Sequence, residues 1–311
     1  MNAHALTAAH FHDEEKARQH LEAIRWPNGP VCPHCGSEEG TYHMQGKAHR
    51  PGLLKCGSCR EQFSVTVGTV FERSKIPLTK WLMAMQMLTS SKKGCSSHQI
   101  HRTLGVTYKT AWFMTHRIRE AMRDTTKDQL GGAGTSGIVE ADETYFGKTE
   151  GLGKGAQLKQ KQQVVALVER KGRVRAFHVP TINADTLKPI LHGQIAKDAR
   201  LMTDGAGMYT KIGQHFASHE TVNHRDGEYA RGDVTTNTVE GFFGVLKRGI
   251  RGVYQHVSPE HLGRYVDEFA FRYNNRVALD IDDTQRAINA LAKIGGKRLM
   301  YRQPGEKTLV N

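Results

Sequence analysis

GIVEADETYF (residues 137–146), VVALV (164–168) and RVRAFHV (173–179) decide the fold. All three are rich in β-branched and aromatic residues, each is short, and Gly172 offers a tight connection between the second and third, so they predict consecutive strands. Beyond them the hydrophobic period changes. It predicts a helix at 184–195, a strand at 200–203, a short helix after Gly207, a strand near 220–223, and helices at 237–248 and 259–276 parted by the turn RGIRGVYQHVSP. Three strands, helix, strand, helix, strand, helix is an α/β order that predicts a mixed sheet with helices on both faces.

That is the order of an RNase H-like domain, and acids fall where such a sheet would place its chemistry. Asp142 lies inside the first strand, Asp204 directly after the apolar fourth strand, and Glu240 on the helix after the fifth. Hard divalent cations prefer oxygen ligands. Two Mg²⁺ or Mn²⁺ ions held about 3.5–4 Å apart by such carboxylates activate an attacking hydroxyl and stabilise a departing one on phosphorus. Strand alternation puts Glu140 on the face of Asp142 and Glu143 on the opposite face, which leaves both as weaker candidates. On the 237–248 helix, Asn237, Glu240, Gly244 and Lys247 share one face, while Val239, Phe242, Phe243 and Leu246 supply the buried one. Lys247, two turns beyond Glu240, is spaced to bind a phosphate, with Arg248 next to it. Singly, Asp204 reads as a turn former and Glu240 with Lys247 as a solvated helix face; three acids in register with the strand order point to catalysis.

Ahead of the sheet stand Cys32-Pro-His-Cys35 and Cys56-Gly-Ser-Cys59. Two residues between paired cysteines let both thiolates reach one ion at about 2.3 Å, and two such pairs close a tetrahedral Zn²⁺ site with no open position, which makes it structural. His34 sits inside the first knuckle as a rival ligand, although four thiolates already satisfy zinc. Cys95 stands apart and reads as an inert thiol. Between ribbon and sheet, SSHQIHRTLGVTYKTAWFMTHRIREAM (residues 96–122) has the grammar of a helix-turn-helix: polar Ser96 and Ser97, a short helix with Ile100 and Leu104, Gly105 at the turn, and Thr107 capping a longer helix. The second helix would then face a major groove through Thr107, Tyr108, Lys109 and Thr110, with Arg117 and Arg119 near phosphates and Lys93 adding to the DNA contacts.

The charge agrees with such a partner. The chain has 311 residues with Lys+Arg 44 against Asp+Glu 31, a formal +13, and basic residues outnumber acidic ones ten to three between 72 and 124. An excess of that size in a chain with no span of about 20 apolar residues and no apolar signal core predicts a soluble, cytoplasmic protein whose partner is nucleic acid, here double-stranded DNA. The predicted organisation is an N-terminal helix at 1–27, a zinc ribbon at 28–70, a helix-turn-helix module at 71–130, a small-residue linker at 131–137 (GGAGTSG), a catalytic domain at 138–280, and a C-terminal tail at 281–311, loosely ordered past about 296.

The motifs CPHCGS with KCGSC, FSVTVGTVFERSKIPLTKW, VEADETYFGK, LMTDGAGMY, NHRDGEYARGDVTTNTVEGFFGVLKRGIRGVYQHVS and YVDEFAFRYNNR span most of the chain. In them the sequence resembles the bacterial insertion-sequence transposases of the zinc-ribbon, DDE type (ISXO-like). The resemblance implies cutting of DNA at element ends and joining of the 3′-hydroxyls to a target, with a divalent metal, by a nucleoid-associated protein acting as a dimer or higher oligomer. It maps the acidic triad onto Asp142, Asp204 and a third position with Lys247 behind it. That third position is Asn or Glu in the group, and Glu240 is preferred here as the harder ligand, with Asn237 its rival. A DNA-binding regulator descended from such an enzyme is the alternative reading.

DNA affinity is expected to fall steeply with salt, with a log–log slope of about −0.9 per phosphate neutralised, and Lys93, Lys109 and Arg117 should each contribute. A flat salt titration of duplex binding would contradict the electrostatic reading.

Overall fold

A computed structural model describes residues 6–46, 48–147 and 161–300. The chain forms two units, Met1–Met122 with Asp280–Asn311, and Arg123–Leu279.

In the first unit, Asp13 accepts the Lys16 amide at 2.8 Å and starts α1 (Glu14–Arg25). A three-stranded antiparallel ribbon follows, β1 (Thr41–His43), β2 (Leu54–Cys56) and β3 (Gln62–Phe63). Helix α2 (Leu78–Ser90) begins after Pro77, and α3 (Ser97–Leu104) and α4 (Tyr108–Met122) come next. The caps are those the sequence suggests. Ser96 accepts the Gln99 amide at 3.2 Å, Thr107 accepts the Thr110 amide at 3.1 Å, and Gly105 takes the left-handed conformation at φ 59°, where a side chain would be strained.

The second unit is built on a five-stranded mixed sheet ordered β6-β5-β4-β7-β8, with β4 (Ile138–Phe146), β5 (Gln162–Glu169), β6 (Val174–Val179), β7 (Arg200–Asp204) and β8 (Ser218–Val222). The strands β4, β5 and β6 are antiparallel neighbours, while β7 runs parallel to both β4 and β8. Helix α5 (Ala184–Gln194) and the single turn α6 (Thr210–Gly213) cover one face, where Leu187, Leu191 and Ile212 pack on Val139, Ala141, Val165 and Leu167. Helices α7 (Asn237–Gly249) and α8 (Pro259–Asn274) cover the other, where Val239, Phe242, Leu246, Val266 and Phe269 pack on Val164, Ala166 and Val168. Both faces of β5 are therefore buried, and this explains why its sequence runs apolar without alternation. The chain returns to the first unit in α9 (Asp283–Ala292), which packs on α1 and α2.

Three boundaries differ from the sequence expectation. The first unit ends at Met122, not 130: Asp124 and Asp128 pair with Arg175 in the second unit at 3.7 and 3.3 Å. Residues 131–137 are no free linker. Gly131 donates its amide to buried Glu169 at 2.8 Å, and a Cβ there would stand 2.7 Å from Ala199 Cβ and 2.8 Å from Val139, so the glycine answers a close approach. Nor is 281–300 a loose tail. Asp282 caps α9 through the Gln285 amide at 2.7 Å, Arg286 donates to the Thr89 carbonyl at 3.2 Å, and the Val70 amide donates to the Ile294 carbonyl at 3.2 Å. Residues 301–311 of the predicted tail lie outside the described residues. No helix among the described residues is long and apolar enough to cross a membrane.

One contact sets the helix that faces the sheet. Glu140, fully buried on β4, takes Arg170 Nη2 at 2.8 Å and Nε at 3.1 Å, and also the Thr238 amide at 2.8 Å, the Thr238 hydroxyl at 2.7 Å and the Val239 amide at 3.1 Å. Thr236, at the N-cap of α7, makes no side-chain cap bond of its own, so the strand's carboxylate does the capping. Glu140→Ala leaves Arg170 and two helix amides without that charge and is expected to destabilise this unit by about 3–5 kcal/mol. Urea unfolding followed by circular dichroism measures it; an unshifted midpoint would show that the anchor is dispensable.

Candidate active site

The parallel pairing of β4 with β7 runs through Ile138↔Arg200, Val139↔Leu201 and Glu140↔Met202 and then stops. Asp142 and Asp204 come two residues later on each strand, so they flank the notch where the strands part. Ligands bind at the carboxyl ends of parallel strands for this reason: the splay opens a crevice lined by side chains that a rigid sheet holds still. Glu143 joins them. One carboxylate oxygen each from Asp142, Glu143 and Asp204 lies within 4.8 Å of the others.

The electrostatics follow from packing acids together. Burial pushes the Asp142 carboxyl up to about 7, aided by the charges of Glu143, Asp204 and Glu240 and opposed by the Glu143 amide, which donates to Asp142 Oδ1 at 2.8 Å. Burial likewise pushes Glu143 up to about 7, with Asp204 adding to it, although the Tyr209 hydroxyl donates to Glu143 Oε2 at 2.7 Å. The same burial and the Glu143 charge raise buried Tyr209 well above its ordinary value. Three oxygen donors whose mutual repulsion costs free energy fit a hard divalent cation, because its charge removes that cost and its ligand preference matches the donors.

Glu240 projects from the first turn of α7, near enough for its charge to act on Asp142, and is exposed. Its Oε1 accepts the Thr236 hydroxyl at 3.2 Å and lies 3.6 Å from His224 Nε2. Asn237, the first residue of α7, is exposed, and its amide donates to Thr235 Oγ1 at 3.1 Å. Lys247 is half-buried in the last turn with Arg248 exposed beside it. The predicted acids Asp142 and Asp204 are thus brought together, with Glu240 facing them from the helix and outside the tight cluster. Alternation assigns Glu143 to the other face, and it does lie there, bonded to Tyr209; beyond the last β4–β7 pair one of its oxygens still comes within 4.8 Å of those of Asp142 and Asp204, which alternation alone does not predict. Tyr209 and His224 carried no sequence signal. Glu140 shares the face of Asp142 as alternation requires, but its oxygens are spent on α7 and Arg170.

The basic residues divide. Lys93 and Lys109 are exposed as expected. Arg117 and Arg119 are not: Arg119 is fully buried with Nη1 donating to Thr115 Oγ1 at 3.2 Å, while Arg117 donates to the Glu72 carbonyl at 3.0 Å and the Leu299 carbonyl at 3.2 Å. Arg117 follows buried Met114 by three residues and Arg119 follows buried Thr115 by four, so helical period carries both inward, and they do not take the expected places near phosphates.

In the ribbon, Sγ of Cys32 and Cys59 are 3.7 Å apart, as are those of Cys35 and Cys56, and all four sulfurs lie within 4.8 Å of one another. Corners of a tetrahedron about 2.3 Å from its centre stand about 3.8 Å apart, so the four sulfurs fit zinc. The two knuckles repeat one design. Cys32 and Cys56 donate amides to the Ser37 and Glu61 carbonyls at 2.9 and 3.0 Å, and accept Gly36 and Arg60 amides at 2.9 and 3.0 Å. The Cys59 and Ser58 amides hold the Cys56 thiol down at about 6, towards the thiolate that binds metal. His34 is exposed and outside the cluster.

Comparison with known proteins agrees with this geometry. The ISXO2-like transposase domain matches residues 134–274, and a transposase zinc-ribbon domain matches residues 12–62. An uncharacterised protein in transposable element ISH50 of Halobacterium salinarum is 30% identical over 279 residues, 84% of this chain and 91% of that protein. An uncharacterised transposase-like protein of Haemophilus influenzae is 27% identical over 105 residues, 34% of this chain and 84% of that protein. The solved pre-cleavage Mos1 transpososome aligns with 68% of this chain and 74% of its own at 13% identity, with a TM-score of 0.26, too slight a likeness to bear on the fold.

Metal analysis is expected to find one zinc per chain. Chelation should expose the four thiols to alkylation and the ribbon amides to exchange while the five-stranded sheet stays protected, because so small a segment has too little core to hold without its ion. Protected ribbon amides in zinc-free protein would sink the assignment.

Proposed function

Because this chain belongs to the ISXO2-like insertion-sequence transposases, we propose that it binds the ends of its element and catalyses divalent-metal-dependent DNA cleavage and joining of the freed 3′-hydroxyls to target DNA. The observation that carries this is the meeting of Asp142, Glu143 and Asp204 at the parted ends of β4 and β7, with Glu240 presented by α7. The strand order, with three antiparallel strands followed by two parallel ones, supports reading the Arg123–Leu279 unit as RNase H-like. Bound Mg²⁺ or Mn²⁺ would supply the charge that activates an attacking oxygen and stabilises the departing one.

The chain's own residues would do the rest. Asp142 and Asp204 are the principal ligands, on strands whose register is fixed by hydrogen bonds. Glu240 is the third, reaching the notch from α7 with its carboxylate oriented by Thr236 and His224. Asn237 on the same helix face is its rival, and Glu143, held by Tyr209, adds a further carboxylate. Lys247 and Arg248 would meet phosphates of the strand leaving the notch. In the other unit, α3, Gly105 and α4 make the helix-turn-helix that engages double-stranded DNA through Lys109 and Lys93, with the zinc ribbon as its neighbour in sequence. Holding two element ends calls for at least a dimer, and chromosomal DNA as substrate makes the protein cytoplasmic and nucleoid-associated.

Strand-transfer assays in Mg²⁺ and Mn²⁺ test the assignment. Asp142→Asn and Asp204→Asn are expected to lose on the order of 10³-fold or more in cleavage and joining while still binding DNA, since each removes a ligand charge worth several kcal/mol in the transition state. Glu240→Gln should match them, Asn237→Ala and Glu143→Gln should retain turnover, and Lys247→Ala should cost least. Full joining by Asp142→Asn would overturn the reading; inactive Asn237→Ala beside active Glu240→Gln would move the third ligand to Asn237.

A further inference from the structure

A cavity of about 310 Å³ opens in the first unit between residues 73–76 and helix α4. Its walls differ in kind. Trp81, Phe113 and Met114 give it an apolar, largely aromatic side, and Arg73, Lys75, Lys109 and Arg117 give it four cations. We propose that it receives one unpaired nucleotide of a DNA strand, with Arg73, Lys75 and Lys109 meeting the phosphate and Phe113 meeting the base.

The site is built rather than incidental. Ser74 Oγ accepts Trp81 Nε1 at 2.9 Å and the Ile76 amide at 3.1 Å, which fastens the loop to α2. Arg73 is a non-glycine residue at φ 55°, a left-handed conformation that L side chains disfavour, and its side chain is 76% exposed at the rim. Its Nε lies 3.6 Å from Glu72 Oε1, whose partner oxygen accepts the Gly68 amide at 3.1 Å. Arg117 forms a fixed cationic wall, locked onto the Glu72 and Leu299 carbonyls with its guanidinium 4.8 Å over the Phe113 ring.

The pairing of a flat apolar wall with a cationic rim selects the ligand. A nucleotide is anionic at one end and presents a planar π-face at the other, and aromatic side chains in positively charged grooves are the general means of holding unpaired strands. The cavity is at the small end of the ~300–1,000 Å³ range of ligand clefts, which suits one nucleotide. An intact duplex keeps its bases stacked, so only an unstacked base can reach Phe113. The proposal rests on the reading that this unit engages DNA, and an element end being cut and joined supplies such nucleotides.

The full-length, zinc-loaded protein is titrated by fluorescence anisotropy with a labelled thymidylate 12-mer and with an abasic 12-mer of equal charge. The thymidylate strand should bind on the order of tenfold tighter. Phe113→Ala should erase that preference and Phe113→Tyr should keep it, while Arg73→Ala with Lys75→Ala should weaken both strands alike; melting curves check each fold. Independently of any variant, a 12-mer carrying 5-iodouracil should photocross-link to the wild-type peptide containing residues 109–117. Equal affinity for the two strands, a preference that survives Phe113→Ala in folded protein, cross-links confined to the Arg123–Leu279 unit, or equal displacement of both strands by an oligoglutamate peptide would each overturn the pocket. The same preparation assayed for joining of duplex ends separates the outcomes: active protein without base preference removes the pocket and leaves the proposed function standing.

Discussion

The Glu140 carboxylate is the contact on which the candidate site depends. A carboxylate with no solvent on a central strand is costly unless its lone pairs are filled, and here Arg170 and the first turn of α7 fill them. The same bonds that satisfy Glu140 fix where α7 begins relative to β4. Asn237 and Glu240 lie in that first turn, and Asp142 lies two residues along the strand from the anchor. A charge that contributes no oxygen to the notch thereby sets where the first turn of α7 stands relative to Asp142.

The notch itself comes from a limit on pairing. Hydrogen bonds hold β4 and β7 together through Glu140 and Met202, and past that point the strands diverge, so the acids that follow face one another across a gap instead of a ladder. Glu143 stays in register with Val165 of β5 and is held by Tyr209 on the other side of β4, yet one of its carboxylate oxygens comes within 4.8 Å of those of Asp142 and Asp204 at the end of the β4–β7 pairing. Burial first, and mutual repulsion after it, push the Asp142 and Glu143 carboxyls up to about 7. A site poised in that way gains more from a divalent ion than an exposed acidic patch does, since the ion also relieves a cost built into the fold.

In the first unit a metal-fitted knuckle pair and a returning helix take the place of a large sheet. The ribbon strands are two or three residues long, too short to be stable alone, and the four sulfurs supply the closure that the strands lack. Helix α9 completes this unit from the far end of the chain, packing on α1 and α2 with Arg286 bonded to the end of α2. A unit assembled from both chain termini has contacts of high sequence separation, and these leave no mark on local periodicity.

Local and chemical features were therefore legible in the sequence. The five strands of the sheet, their helices, the capping residues Ser96 and Thr107, the four cysteines, and Asp142, Asp204 and Glu240 all follow from period, propensity and spacing, because each is a property of a few neighbouring residues. The tertiary structure alone decided which acids meet, that Glu140 is an anchor and Glu143 a neighbour of the site, that Arg117 is spent on the Glu72 and Leu299 carbonyls, that Gly131 answers a close approach, and that residues 283–292 belong to the first unit. Each of these depends on a partner far away in the chain, such as Thr238 for Glu140, Tyr209 for Glu143 or Thr89 for Arg286, and only the folded chain brings such partners within bonding distance.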